Sequence, residues 1–191
     1  MNGYISWLIV LLFTGLSAFI ISRYSAKKFK GKKSVTVTVF LLLSICAALL
    51  MLHRFGCTAI TLKGIILFLI FITSSYQDIK THECDDYIHP MIIIAGFIGR
   101  DYYNLPNMLI SAFLVFALMM GSLLITKSSI GGADVKFSVA CAFALGVKTG
   151  LSGLIAGLTT AIIINLIKKN KKEGFPMIPY LAVGFTMAYF V

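Results

Sequence analysis

Acidic side chains are scarce in this chain: 7 Asp and Glu stand among 191 residues, against 17 Lys and Arg. Tryptophan occurs once and proline four times. The four cysteines, Cys46, Cys57, Cys84 and Cys141, form no C-x-x-C pair. That excludes a disulfide framework or a cysteine zinc site as the organising element. The cysteines read as small apolar fillers or free thiols. A glycine-rich nucleotide fingerprint, an internal repeat and a low-complexity segment are all missing. So are long polar stretches, which leaves no room for a separate soluble domain.

What fills the chain instead is apolar. Hydrophobic residues make up 59% of it and the mean hydropathy is +0.94, whereas a soluble domain rarely exceeds about 50%. A spanning helix needs about 20 mostly apolar residues. Eight stretches qualify as candidates, roughly 4–22, 34–52, 58–76, 87–103, 106–126, 135–148, 149–167 and 176–191. The expected fold is all-α: a polytopic integral membrane protein of about eight transmembrane helices. We read residues 1–191 as one membrane domain, with two N-terminal spans in 1–57 and a core in 58–191. The N-terminus lacks a basic region and a small-residue cleavage site, so the first span is expected to be retained.

The basic residues are unevenly placed. With eight spans, one side collects Arg23–Lys33, Lys80, Lys127, Lys136 and Lys168–Lys172, thirteen of the 17 basic residues. The positive-inside rule makes that side cytoplasmic and puts both termini outside. The net charge of +10 therefore points to anionic lipid heads rather than nucleic acid.

Against this background two aspartates stand out. Asp78, in Gln77-Asp78-Ile79-Lys80, closes the third span, and Asp134, in Gly131-Gly132-Ala133-Asp134-Val135-Lys136, opens the sixth. Carboxylates at membrane depth are costly and usually mark function. Two carboxylates in contact share one proton, and such a pair hydrolyses peptides: the ionised one activates water and the protonated one holds the carbonyl. Helix ends alone predict that Asp134, at an N-terminus, carries the charge and Asp78, at a C-terminus, the proton. Lys136 is expected to add to that bias. Gly131 and Gly132 are expected to let the backbone bend sharply beside an extended substrate. The segments after the two aspartates, Tyr87–Gly99 and Val135–Val147, have 13 apolar residues each. They rise only about 20 Å in a core about 30 Å thick. Either they extend into their flanks or the aspartate loops are recessed from the cytoplasmic side.

The loop Gln77–Asp86 holds four of the seven acidic residues, Asp78, Glu83, Asp85 and Asp86. Asp85 and Asp86 read first as a cap for the fourth helix. Gly146, Gly150, Gly153 and Gly157 have the spacing that lets membrane helices approach closely. Pro176 and Pro179 read as a helix entry. No metal site is expected from His82, His89 and the loop acids.

The residues Ser75–Lys80, Asp85-Asp86-Tyr87-Ile88, Gly131–Lys136 and Phe175-Pro176-Met177-Ile178-Pro179-Tyr180, in that order, resemble the type IV prepilin peptidase family, including the preflagellin peptidases. These are membrane GxGD-type aspartyl proteases related in active-site style to presenilin. The resemblance runs from about Ile65 to Val191. It implies an aspartic endopeptidase of the cytoplasmic membrane that removes a basic leader from pilin, pseudopilin or preflagellin substrates after a glycine. By position, Asp78 and Asp134 are the catalytic pair, with no metal or organic cofactor. Gly131, Gly132 and Lys136 flank the substrate, and Glu83, Asp85 and Asp86 are acidic contacts for the leader. Ala133 replaces the second glycine of the usual pattern, and Asp85-Asp86 replaces a frequent Pro-Asn or Pro-Asp. Arg23–Lys33 stands where larger members carry a cytoplasmic domain, so methyl transfer is left unassigned. The aspartates alone also suit a proton-coupled transporter, and a non-catalytic pilus assembly factor is a third reading.

Overall fold

The computed structural model describes residues 3–99, 104–126, 131–168 and 175–191. They form eight helices in chain order: α1 Gly3–Lys28, α2 Lys33–Phe55, α3 Ala59–Thr81, α4 Ile88–Gly96, α5 Leu105–Thr126, α6 Gly132–Leu145, α7 Val147–Lys168 and α8 Ile178–Tyr189. No strand occurs among the described residues. Five helices, α1, α2, α3, α5 and α7, are long and apolar enough to cross a membrane. The expected eight spans therefore divide into five of full length and three shorter helices, α4, α6 and α8, of 9, 14 and 12 residues. Leu8, Leu12, Leu16 and Ile20 repeat every turn along α1 and are all well exposed. That outward apolar stripe suits lipid. Several hydroxyls bond back within their own helices, as where Thr14 donates to Val10 and Thr73 to Leu69, an arrangement that suits apolar surroundings.

Helix α6 sits at the centre, against α4, α5, α7 and α8. Ser138, Ala140, Cys141, Ala142 and Ala144 are all buried on it, and such small side chains let neighbours close in from several sides. Phe137 is fully enclosed between Phe71 of α3 and Phe185 of α8, with ring centroids 5.5 and 6.4 Å away. The tightest seam joins α7 to α8. A Cβ on Gly184 would lie 2.2 Å from the Gly157 nitrogen, and one on Gly153 would lie 3.0 Å from the Phe185 Cα. Gly150, Gly153 and Gly157 are thus packing positions, as expected. Gly146 instead ends α6 with φ 85°, a left-handed turn that favours glycine.

The short helices α4 and α6 share a contact the sequence did not supply. Lys63, one turn into α3, is buried and donates to Gly96 O at 3.0 Å and Ala144 O at 2.6 Å. Both acceptors lie at helix C-termini, where carbonyls lack intrahelical donors. One ammonium therefore joins the ends of α4 and α6, beside a cavity of about 290 Å³ lined by Lys63, Asn104, Thr149 and Tyr189. The α4 and α6 C-termini thus lie at the opposite end of the bundle from the aspartates.

Candidate active site

The other end of the bundle gathers the acids. Asp78 lies in the last turn of α3 and is 6% exposed. His82 closes that helix in the left-handed region, its N–H donating to the Asp78 carbonyl at 2.9 Å. The Asp78 side chain accepts the Ile178 N–H at 2.9 Å. That donor is the first N–H of α8, one of the groups a helix cannot satisfy internally. Pro179 at the next position has no N–H of its own. The entry to α8 thus delivers a hydrogen bond to a carboxylate 100 residues earlier in the chain.

Asp134 stands in the first turn of α6, outside the five full-length helices. Its carboxyl is pushed up to about 6, first by burial and then by the charge of Asp78, against a smaller contribution from the Gly131 backbone. Asp78 and Asp134 are therefore close enough to interact electrostatically. Gly131 has φ −59°, a conformation open to any residue, so the expected sharp bend is not its function. Its role is space: a Cβ there would lie 2.8 Å from Asp134 Oδ2. A Cβ on Gly132 would meet nothing within 4 Å.

The loop acids do not cap α4. Its cap position is Tyr87, with no side-chain capping bond. Asp85 pairs with Lys28, the last residue of α1, and Asp86 pairs with Lys136 at 2.9 Å. Lys136 is thus engaged by Asp86 rather than lending its charge to Asp134. Burial works to raise the Asp85 carboxyl, but hydrogen bonds from Lys28 and Gln77 and the Lys28 charge hold it below the usual carboxylate range. The Asp86 carboxyl is held low by Lys136. Glu83 is exposed. Cys84 connects the groups: its half-buried thiol is pushed up to about 12 by burial, then by the charges of Asp78, Asp85, Asp134 and Asp86. Its sulfur is a neutral neighbour of all four carboxylates.

The basic loop after α1 folds onto this end. A Cβ on Gly31 would lie 2.0 Å from the Tyr76 hydroxyl, and Phe29 and Phe40 meet the Tyr76 ring edge-on at 6.1 and 5.7 Å. Tyr76 is two residues before Asp78, so the N-terminal helix pair is docked against the site. Of the residues singled out from sequence, Asp78, Asp134, Gly131, Lys136, Asp85 and Asp86 gather at this end. The Ile178 N–H, Gln77 and Lys28 were missed. A backbone donor has no sequence signature, and Lys28 was indistinguishable from its basic neighbours.

No curated protein and no solved structure matches the chain significantly. The family model described as the type IV leader peptidase family matches residues 65–166, a span that includes both aspartates. The match covers more than half of the chain, which belongs to the type IV leader peptidase family.

Proposed function

We propose that the protein is a membrane aspartyl endopeptidase that removes the basic leader of a type IV prepilin-like substrate at the cytoplasmic face. One observation carries this reading: two carboxylates 56 residues apart in sequence lie at the same end of the bundle, near enough for the charge of Asp78 to act on Asp134. The donor set favours the opposite division of labour from that expected from helix ends. Asp78 accepts the α8 N–H, which stabilises its carboxylate form. Asp134 keeps its proton into weakly acidic pH.

In the reaction, Asp78 takes a proton from a water held between the pair. The protonated Asp134 donates to the scissile carbonyl oxygen while the water oxygen attacks the carbonyl carbon. The tetrahedral adduct returns the Asp134 proton by re-forming the carbonyl, and Asp78 passes its proton to the leaving amine as the C–N bond breaks. The pair ends as it began, so no cofactor enters the balance. The asymmetry of basic residues supports a cytoplasmic aspartate end with both termini outside.

The test is cleavage of a prepilin-type substrate by the purified protein, compared with Asp78→Asn and Asp134→Asn. Asparagine keeps the shape but cannot share the proton. Cleavage after the leader glycine by wild type, with both variants folded and inert, supports the dyad. A variant that still cuts removes it. An inert wild type whose pH-driven uptake is measurable would favour transport instead.

A further inference from the structure

The contact between Lys28 and Asp85 is built as a cation seat. The Lys28 ammonium is bonded to Asp85 Oδ2 and lies 5.2 Å from the Phe29 ring centroid and 5.6 Å from that of Tyr87. A carboxylate with two aromatic faces is the constellation that recognises ammonium and guanidinium groups. Gln77 and Tyr87 lie near enough to Asp85 to favour its carboxylate form. The pair itself is half exposed, at 34% and 30% of the two side chains, so it contributes little to stability.

A second observation concerns Gln77, the neighbour of Asp78. Gln77 is 3% exposed, and its Oε1 is buried with no hydrogen-bond donor. Buried acceptors in native proteins are nearly always satisfied, and an orphan calls for an explanation. Gln77 is near enough to Asp85 to favour its carboxylate form and immediately precedes Asp78.

We propose that Asp85, walled by Tyr87 and backed by Gln77, receives a basic side chain of the leader, and that Lys28 occupies this seat until the substrate displaces it. This rests on the leader-peptidase reading and deepens it. The exchange swaps one cation for another, so the ion pairing of Asp85 is conserved. An apolar helix without a basic leader cannot displace Lys28 and gains nothing from the seat. Lys136 on Asp86 is a more exposed version of the same pairing, at 62% and 86%, and its removal should matter less.

The experiment compares the full-length protein with Lys28→Met, Asp85→Asn and the double variant. The substrates are a prepilin with two leader lysines and the same protein with both changed to glutamine. Lys28→Met should lower KM on the basic leader about threefold to fivefold and leave the glutamine leader unchanged. Asp85→Asn should raise KM on the basic leader, and adding Lys28→Met to it should change nothing further. An unchanged KM in Lys28→Met, or an equal fall on both leaders, overturns the proposal. Binding of a fluorescent basic leader peptide is measured in parallel. Tighter binding to Lys28→Met than to wild type supports the seat even if no substrate is cut, in which case the peptidase reading alone fails. Equal binding overturns the seat.

Discussion

At one end of the bundle Lys63 is enclosed and donates to two helix-terminal carbonyls, whereas at the other end the charges of Asp78, Asp85, Asp134 and Asp86 all act on the Cys84 thiol. Both ends hold charge among apolar helices, yet they use it differently. The Lys63 end compensates its charge with fixed backbone acceptors, as a permanent structural group requires. The aspartate end brings like charges together, closes some with exposed lysines and leaves a buried acceptor without a donor. Crowded like charges raise a carboxyl and cost stability, a cost expected where chemistry is done. The contrast teaches how to tell a structural buried charge from a reactive one: by whether its surroundings satisfy it in the resting state.

The strongest way to break the comparison is to neutralise one charge at each end. Asp78→Asn or Asp134→Asn should lower cleavage by about 10³-fold or more while thermal unfolding in detergent stays at or above wild type. Removing one of two repelling carboxylates relieves strain. Lys63→Met should do the reverse. It removes a buried donor to the Gly96 and Ala144 carbonyls, costing about 2 kcal/mol, and it should lower the unfolding temperature. The kcat of the folded fraction should be nearly unchanged. If Lys63→Met abolished turnover without loss of stability, the division between the two ends would be wrong.

A finer test lies within the aspartate end. Gly131→Ala puts a methyl 2.8 Å from Asp134 Oδ2, so the carboxyl must shift, and kcat should fall about tenfold or more. Gly132→Ala meets open space and should retain wild-type kcat. Equal losses at both positions would return the glycines to the role of a flexible bend.

The contrast between the ends was only half legible in the sequence. Asp78 and Asp134 could be found because a carboxylate is rare in a chain this apolar, and helix periodicity placed each at a helix end. Helix number followed from hydropathy, but helix length did not. The ends of α4 and α6 are joined by Lys63, which reads in sequence as one more charge at the foot of a span. The role of Gly131 was misread because sequence shows conformational freedom and not the neighbour that fills the space. Asp85 and Asp86 were misread as caps for a similar reason: their partners, Lys28 and Lys136, lie 57 and 50 residues away. The Ile178 N–H, which bonds Asp78, belongs to no side chain at all.

The smallest expected effect concerns pH, and it sharpens the assignment of roles. Asp134 is raised from 3.8 to about 6 by burial and by Asp78, so it is protonated below that value and ionised above it. If it donates to the scissile carbonyl, kcat/KM should fall as pH rises through about 6, since that ratio reports the free enzyme. The stability linkage has the same sign. Between 3.8 and about 6 the fold holds a proton that the unfolded chain has released, so the Asp134 contribution to stability is lost as pH rises through that window. Lys136→Met should move this limb by no more than about 0.3 pH units, because Lys136 faces Asp86 and acts on Asp134 only through a screened, exposed position. Because Asp78→Asn is expected to be inactive, an infrared titration of its Asp134 carboxyl is the complementary measurement. Loss of the neighbouring charge should move the Asp134 midpoint down toward 3.8, and a midpoint that stayed near 6 would make burial alone responsible and the two aspartates independent.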